Sequence, residues 1–211
     1  MSVITLPATA KAASSQIEFR LVRAQASIET IAGVSQVTSY PDRRWAARLL
    51  INPQWESNLR QWSLAVTQLS DITNVFALGP PHYDGPSTGY SGSAPTVNGA
   101  DQLGLSLDVD NLELTTAVLL AGDYISFNTT SALGNSNRQL IQVAADVTSD
   151  GSGEATISLT VPIREAPADD AAVEIFSPTA FFALAQAEGG VSIDAAQFSP
   201  FVLEAMERIF P

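Results

Sequence analysis

The sequence predicts a mainly β protein with one clear amphipathic helix, built as a β-sandwich or split-barrel domain with an inserted small β-barrel domain. Residues 119–185 contain several short segments rich in β-branched and aromatic residues. Turn-forming sequences separate these segments, at residues 121–123, 134–137, 150–153 and 167–170. Regular turns between segments of alternating apolar residues are typical of a small antiparallel barrel or sandwich. One stretch with helical apolar spacing, at residues 55–69, accounts for the helix.

The first strands are predicted in residues 1–51. Residues 16–21 alternate between polar and apolar side chains, so Ile17, Phe19 and Leu21 are expected to face a core while Glu18 and Arg20 face water. Residues 45–51 form the second strand candidate, after a turn-like segment at residues 40–42.

The helix prediction begins at Asn52, which can cap free backbone amides, and at Pro53, which fits the first helical position. Five apolar residues then follow at spacings that place them on one face: Trp55, Leu59, Trp62, Val66 and Leu69. We expect a helix of about four turns that packs this face against the strands. A partner-binding face is the alternative.

The chain is predicted to divide near a loop rich in glycine and proline. Eight of the seventeen residues from 79 to 95 are Gly or Pro, too many for a regular element. We predict one domain from residues 1–80 and 178–211, a linker loop at 81–95, and a second domain at 96–177. Within the loop, Tyr83 and Tyr90 are either surface aromatics for contacts or anchors that hold the loop to its own domain.

The second domain is predicted to contain five or six short strands. The first has Leu103, Leu105, Leu107 and Val109 in alternation, and others are predicted at residues 123–127, 138–143, 155–161 and 172–175. Residues 178–185 form one more strand candidate. In the tail at residues 199–211, Ser199 and Pro200 resemble a helix start, although a strand is also compatible with the pattern.

Charge and composition exclude several classes of function. The 211-residue chain has no cysteine, so disulfides and thiolate metal sites are absent. The net charge is −12, but residues 1–60 carry a net charge of +3 and the remaining residues −15. This distribution argues against nucleic-acid binding, which needs clustered Lys and Arg, and is compatible with complementary patches between subunits. The sequence contains neither a long apolar span nor a signal-peptide pattern, which predicts a soluble, unexported chain without membrane contact.

The candidate chemical groups are sparse. His82 is the one histidine, and only Asp84 is close to it in sequence, which favours a surface residue over a catalytic base. Two acidic clusters are candidate calcium sites: Asp108, Asp110 and Glu113, and Asp146, Asp150 and Glu154. Neither matches a calcium-loop pattern, and no phosphate-binding or dinucleotide motif is present. We therefore predict no catalytic residue, no cofactor and no metal, so that the protein is not an enzyme.

The order of several segments resembles the distal tail protein (Dit) family of long-tailed bacteriophages and of related gene-transfer-agent tails. The segments are PDRRWAAR (41–48), the Trp-containing helix, FALGPP (76–81), PTVNGA (95–100), LLAGDYISF (119–127), and RQLIQV (138–143) leading into residues 146–155. The resemblance covers most of the chain. The tail at 199–211 departs from it, because helix signals stand where a strand-like ending is expected.

The resemblance implies a structural virion protein, assembled in the host cytoplasm, at the phage tail tip. Dit proteins form a six-fold ring that joins the tail tube to the tail-tip or baseplate proteins. The expected partners are therefore other copies of the chain in a homohexamer, the tail tube protein, and hub, tip or fibre proteins. Residues 1–80 and 178–211 would form the ring-making belt, and residues 96–177 the peripheral barrel. Genome DNA would pass through the lumen without specific binding.

Arg43, Arg44 and Arg48 are the candidate subunit-interface residues. They could meet acidic surfaces of a neighbouring subunit in a head-to-tail ring, and solvated surface arginines are the alternative. The alternative function is a carbohydrate-binding β-barrel module for host-surface attachment, with an enzyme as the third possibility. Trp55 and Trp62 discriminate, because a packed helix buries them whereas a sugar-stacking platform exposes them.

Overall fold

The computed structural model describes residues 2–7, 14–29, 35–52, 56–71, 73–130, 134, 136–185 and 201–209. Within these ranges the chain is mainly β with one helix, which confirms the predicted fold class. The elements are β1 (Ser14–Glu29), β2 (Ser35–Ile51), α1 (Glu56–Leu69), β3 (Phe76–Leu78), β4 (Thr96–Val97), β5 (Gly104–Asp110), β6 (Ala117–Leu119), β7 (Tyr124–Thr130), β8 (Ser136–Gln142), β9 (Val147–Thr148), β10 (Ala155–Ile163), β11 (Val173–Glu174), β12 (Ala180–Leu184) and β13 (Phe201–Glu207).

The chain divides into two compact units. The first unit is formed by residues 1–76 and 182–208, and the second by residues 77–181 and 209–211. Residues 81–95, predicted as a linker, therefore belong to the second unit.

A five-stranded sheet in the order β1-β2-β13-β12-β3 organises the first unit. β2 pairs with β1 along one edge and with β13 along the other, both antiparallel. Because side chains alternate across a strand, one face of β2 carries Trp45, Ala47, Leu49 and Ile51, all of which are buried. The described residues of this unit form one sheet with a helix, rather than the two facing sheets of a sandwich.

Helix α1 buries apolar side chains in the first unit. Trp62, Val66 and Leu69, three of the five residues predicted to share its apolar face, are buried. The Trp62 ring meets the Phe201 ring edge-on, with centroids 5.6 Å apart, so the helix packs against β13. Core packing is thus confirmed for this part of the predicted face. Trp55 and the side chain of Leu59 lie outside the described residues.

The first strand is longer than predicted, and its apolar face is less buried. Ile17 and Phe19 are half-buried, and Phe19 stacks on Trp45 with ring centroids 4.8 Å apart. Leu21 was predicted to face the core, but 38% of it is exposed. Arg20 is exposed as predicted, whereas Glu18 is half-buried like Ile17 and Phe19.

The turn predicted at residues 40–42 is wrong, because these residues lie inside β2. They coincide with a register shift, since Arg23 pairs with Arg43 but Gln25 pairs with Ser39. Three residues of β2 are therefore accommodated opposite one residue of β1, as in an enlarged β-bulge. Pro41 lies in this bulge, where its missing N–H removes no regular ladder bond.

The tail forms strand β13, which excludes the helix predicted for its described part. Leu203, Ala205 and Glu207 are buried, whereas Val202 and Met206 are exposed. This period of two is that of a half-buried strand, and the open edge of β2 supplies the partner for its backbone. The predicted helix start at Ser199 and Pro200 lies outside the described residues. The strand predicted at residues 178–185 is confirmed as β12.

The second unit contains three small sheets, in the orders β10-β5-β4, β11-β7-β8 and β6-β9. Single antiparallel bridges join the two three-stranded sheets at both edges, between Val143 and Leu159 and between Thr96 and Ala172. No sheet of the described residues closes on itself, so the small β-barrel predicted here is not closed by continuous ladders. β10 loses register with β5 between Ser158 and Ile163. Pro162 falls in this interval and cannot donate a ladder hydrogen bond.

The inner faces of these sheets enclose one apolar core. All the following residues are at most 7% exposed: Tyr90, Val97, Leu107, Val109, Leu112, Val118, Leu119, Ile125, Phe127, Ile141, Val143, Val147, Ile157, Leu159, Val161, Ile163, Val173 and Ile175. Leu107 and Val109 come from the predicted alternating strand, and both are fully buried. Leu103 and Leu105, from the same pattern, are 61% and 57% exposed, because they lie at the end of β5 that β10 leaves.

Substitution of Gly153 tests the close approach of two loops in the second unit. Gly153 has a φ of 81°, and an added Cβ would lie 2.6 Å from the carbonyl oxygen of Leu112. Gly153→Ala should therefore lower the free energy of unfolding by about 3 kcal/mol, because backbone must move as well as adopt a strained φ. The matched control is Gly89→Ala, since Gly89 has a φ of 76° with no atom within 4 Å of the added Cβ. It should cost only about 1–2 kcal/mol. Equal losses in urea denaturation would show that the approach to Leu112 is unimportant.

Candidate assembly surfaces

Strands β1 and β2 remain paired with each other beyond the point at which β13 stops pairing with β2. Their pairing reaches Glu29 and Ser35, but β13 pairs with β2 only from Ile51 to Ala46. Within the described residues, the remaining part of β2 has β1 as its one strand partner. We call residues 22–29 and 35–44 the arm. Its eight β1 residues span about 26 Å at ~3.3 Å per residue.

A buried carboxylate marks the point at which β13 ends and the arm begins. Glu207, the last residue of β13, is 2% exposed, and its Oε2 accepts a hydrogen bond of 2.9 Å from the Trp45 backbone N–H. The side chain thus continues the bonding of β2 by one residue after the backbone ladder stops. From Arg44 outward the arm is a two-stranded ribbon. Such ribbons are marginally stable alone in water and present unpaired backbone groups along their edges.

The three predicted interface arginines occupy different surroundings. Arg48 lies between Glu18 and Glu204 in the register of the sheet, and its guanidinium nitrogens are 3.6 and 3.3 Å from their carboxylate oxygens. Its charge is therefore compensated within the chain, although each exposed ion pair contributes only about 0–1 kcal/mol. Arg43 and Arg44 lie at the base of the arm, on opposite faces of β2.

A like-charge pair distinguishes the base of the arm. Arg43 is directly opposite Arg23 in the antiparallel register, so both side chains are on one face. Arg23 is exposed and Arg43 is half-buried. Like charges directly opposite one another across a strand pair are destabilising, and a nearby anionic group relieves the repulsion.

In the second unit, the loop rich in glycine and proline is anchored by its tyrosines. Tyr90 is 7% exposed and stacks on Phe176, with ring centroids 6.3 Å apart. The Tyr83 hydroxyl donates a 2.9 Å hydrogen bond to the Ile175 carbonyl, and the Tyr83 ring meets Tyr124 edge-on. Of the two alternatives left open by the sequence, the structure supports anchoring.

A buried aspartate completes the attachment of this loop. Asp123 is 2% exposed, and its carboxylate accepts hydrogen bonds from the Ser87 backbone N–H at 3.0 Å and from the Ser87 hydroxyl. The same carboxylate accepts the Leu120 N–H at 2.9 Å. Asp123 therefore joins the loop to the turn before β7. Burial, together with the negative charge of Asp123, raises the pKa of Tyr83 well above its usual value.

The candidate chemical groups of the sequence make local contacts in the second unit. His82 is exposed, with its ring edge-on to Tyr124 at 6.2 Å. Among the described residues, no group of three His, Cys, Asp or Glu side chains could hold a metal ion. Carboxylates of the two predicted acidic clusters instead bond to neighbouring hydroxyl and backbone groups: Asp108 to Thr156, Asp110 to Thr96, Asp146 to the Ala121 N–H, and Asp150 to the Ser152 and Glu154 N–H groups.

Exposed aromatic platforms are also not found among the described residues. Trp45 and Trp62 are 6% and 0% exposed. None of the exposed large apolar side chains among the described residues is aromatic. They are Val3, Leu21, Val22, Leu64, Leu103, Leu105, Leu114, Leu120, Val202 and Met206. Sugar stacking needs an accessible ring face, which these residues cannot supply.

An open groove of about 640 Å³ on the second unit carries several carboxylates. Asp108, Asp150 and Glu154 line it, together with Asn98, which follows β4, Thr148 of β9 and Thr156 of β10. Asp108 comes from β5, whereas Asp150 and Glu154 flank the tight turn before β10. Sequence inspection placed these carboxylates in two separate clusters, because more than forty residues separate Asp108 from Asp150. We call this feature the acidic groove.

No protein-family model matches this chain, and no curated protein is significantly similar to it. The resemblance to the Dit family is therefore carried by the sequence segments alone. Among the described residues, no helix combines the length and the apolarity that a membrane span requires.

Two features of these surfaces were missed from the sequence. The arm was missed because the pattern at residues 40–42 indicates a turn and residues 24–27 are small or polar. The acidic groove was missed because its carboxylates meet only when β5 and β10 pair.

Replacing Asp123 with Asn should release the loop. The amide keeps the size of the carboxylate but loses the charge-assisted bonds to Ser87 and Leu120, at a cost of about 2 kcal/mol. Hydrogen exchange in residues 80–92 should become faster. The matched control is Asp169→Asn, since exposed Asp169 accepts one 2.8 Å bond from the Gly99 N–H and should change stability by at most about 1 kcal/mol. If exchange in the loop is unchanged by Asp123→Asn, Asp123 does not anchor it.

Alkaline titration tests the environment of Tyr83. Burial also raises the pKa of Tyr124, so Tyr83 and Tyr124 should both ionise later than a free tyrosine. In Tyr83→Phe the late part of the tyrosinate absorbance should become smaller. Because the neutral phenol is favoured in the folded state, Tyr83 contributes stability below pH ~10, and this is lost as the pH rises toward its folded pKa. An unchanged late component in Tyr83→Phe would contradict this assignment.

Proposed function

We propose that this protein is a non-catalytic structural component that assembles with copies of itself into a closed ring, the distal tail ring of a long-tailed phage. In this role it joins the tail tube protein to tail-tip, baseplate or fibre proteins. The observation that carries the proposal is the arm, a two-stranded ribbon that continues past the last strand pairing of its own sheet. The resemblance of the sequence segments to Dit proteins supports the same function.

The arm favours self-association for a physical reason. Its edges offer unpaired backbone groups, which are readily paired or covered by another chain. An arm that contacts a different surface on the next copy makes a head-to-tail contact. Repeated contacts of this type close into a ring when the rotation between copies is suitable. Residues 1–80 and 178–211 would supply the belt of this ring, and residues 96–177 its outer domain.

Charge supports the same arrangement. Residues 1–60 carry a net charge of +3 and the remainder −15, so the basic side chains are concentrated in the segment that contains the arm. Opposite patches favour association in one orientation and disfavour like-to-like contacts. The overall charge of −12 is also compatible with DNA that passes without being bound.

Arg43 and Arg44 are proposed as interface residues because they lie at the base of the arm. Arg48 lies further from the arm, between Glu18 and Glu204. The burial of Trp45 and Trp62 favours a structural role over a carbohydrate-binding module, because a sugar-binding platform exposes its aromatic rings.

Native mass spectrometry of the purified full chain tests the proposal. The wild-type protein should form a closed species of about six copies at micromolar concentration. The double substitution Arg43→Gln and Arg44→Gln should weaken assembly about tenfold or more, since it removes two cations at the base of the arm. Arg60→Gln, on the exposed side of α1, is the control and should assemble normally. A wild-type chain that stays monomeric at all concentrations contradicts the ring, while normal assembly of the double variant removes only these two arginines from the interface.

A further inference from the structure

The segment that follows β4 contains the residues of a covalent modification site. Asn98 and Gly99 are the one Asn-Gly pair in the chain. Asn98 is exposed, so water reaches its side chain. A Cβ added to Gly99 would have no atom within 4 Å, so the backbone of this residue is open on that side. The Gly99 nitrogen, which is the group able to attack the neighbouring carboxamide, is therefore not shielded by a side chain.

The reaction open to such a pair is deamidation. The Gly99 nitrogen, once it has lost its proton to solvent, forms a bond to Cγ of Asn98 while the bond from Cγ to Nδ2 breaks. The Nδ2 nitrogen takes up a proton and leaves as ammonia. Water then opens the cyclic imide at either of its carbonyl carbons and leaves aspartate or isoaspartate. Water is consumed and ammonia is released, so the reaction balances without a further reactant.

Two side chains hold the peptide group between these residues, one at each end. The Gly99 N–H donates a 2.8 Å hydrogen bond to Asp169 Oδ1. The Asn98 carbonyl, which belongs to the same peptide group, accepts a 2.8 Å bond from Gln102 Nε2. Rotation about the Cα–C bond of Asn98 moves the Gly99 nitrogen relative to Cγ. This rotation has to break both bonds together, so the peptide group resists the movement that ring closure requires.

The charge of Asp169 opposes the reaction as well. The attacking species is a peptide nitrogen that carries negative charge, and the Asp169 carboxylate lies against that nitrogen. Like charges at such a short distance repel, so the deprotonated state is disfavoured while the contact persists. The proton stays on the Gly99 nitrogen, because a peptide amide holds its proton far more tightly than a carboxylic acid does. Geometry and charge therefore act in the same direction.

We propose that Asn98 is a deamidation site and that Asp169 keeps it unreacted in the folded chain. Asp169 acts by holding the Gly99 N–H, and Gln102 acts by holding the adjoining carbonyl. Conversion adds a further carboxylate to the acidic groove, since Asn98 is one of its lining residues. The isoaspartate product also inserts an extra carbon into the backbone, next to the hydrogen bond from the Asn98 N–H to the Asp108 carbonyl.

Peptide mapping of the purified full chain tests the proposal. Wild-type protein and Asp169→Ala are kept in warm, mildly alkaline buffer, and the aspartate and isoaspartate forms of residue 98 are measured over time by mass spectrometry. Asp169→Ala should deamidate at least about fivefold faster, because one hydrogen bond no longer has to break before the attack. Wild-type protein unfolded in concentrated urea gives the unrestrained rate, which should exceed the folded wild-type rate by at least the same factor.

The matched control is Glu154→Ala. It removes an exposed carboxylate from the groove that Asn98 lines, but this carboxylate is not the one bonded to Gly99. Its deamidation rate should stay within about twofold of wild type, since salt and water screen exposed charges. Urea denaturation checks that both variants remain folded, as expected for exposed positions. A faster reaction in Asp169→Ala then reports the released peptide group rather than unfolding of the chain.

Each outcome bears directly on the inference. Faster deamidation in Asp169→Ala with a wild-type rate in Glu154→Ala supports it. An unchanged or slower rate in Asp169→Ala overturns it, since Asp169 would then be indifferent or would assist the attack as a base. Equal acceleration in both variants assigns the effect to general charge and also overturns it. Modification found only at other asparagines, or a folded wild-type rate equal to that in urea, has the same consequence.

Discussion

The pairing of β2 with β13 is the constraint on which the first unit depends. Six successive residue pairs, from Ile51 with Phe201 to Ala46 with Met206, fix the register of the tail against the centre of the sheet. That register brings Glu204 beside Arg48 and directs Leu203 and Ala205 into the core. It also determines where the pairing stops. If β13 extended two to four residues past Glu207, it would pair with β2 at the base of the arm. The surface proposed for assembly would then lie in the interior of the sheet.

In the second unit, the corresponding interaction is the set of hydrogen bonds to the buried carboxylate of Asp123. Asp123 satisfies backbone and hydroxyl donors from segments that are distant in sequence, while Tyr83 and Tyr90 supply buried apolar surface. A loop with so many glycines and prolines has no ladder of its own and depends on such bonds for a defined path.

The sequence predicted those features that depend on local spacing. Trp62, Val66 and Leu69 follow a helical period and are buried on one side of α1, and Leu107 and Val109 alternate and are buried in β5. Features that depend on distant partners were not predictable. The tail has an apolar spacing compatible with both a helix and a strand, and the free edge of β2 decides between them. Closure of a barrel depends on two ladders at once, and β10 leaves its register with β5 between Ser158 and Ile163. Among the candidate interface residues, Arg43 and Arg44 were identified from their positive charge. Their positions on opposite faces of β2 follow only from the alternation of side chains along the strand.

The seams between the two three-stranded sheets have a mechanical consequence. The N–H groups of Val97, Asp170 and Val173 donate backbone hydrogen bonds across the seam of β4 and β11, and the Ala144 N–H donates to the Ser158 carbonyl across the seam of β8 and β10. A continuous ladder shares a shear load over many hydrogen bonds, whereas each seam here shares it over a few bonds and the buried side chains behind them. The second unit should therefore yield to traction by slippage between its sheets, before any individual sheet comes apart.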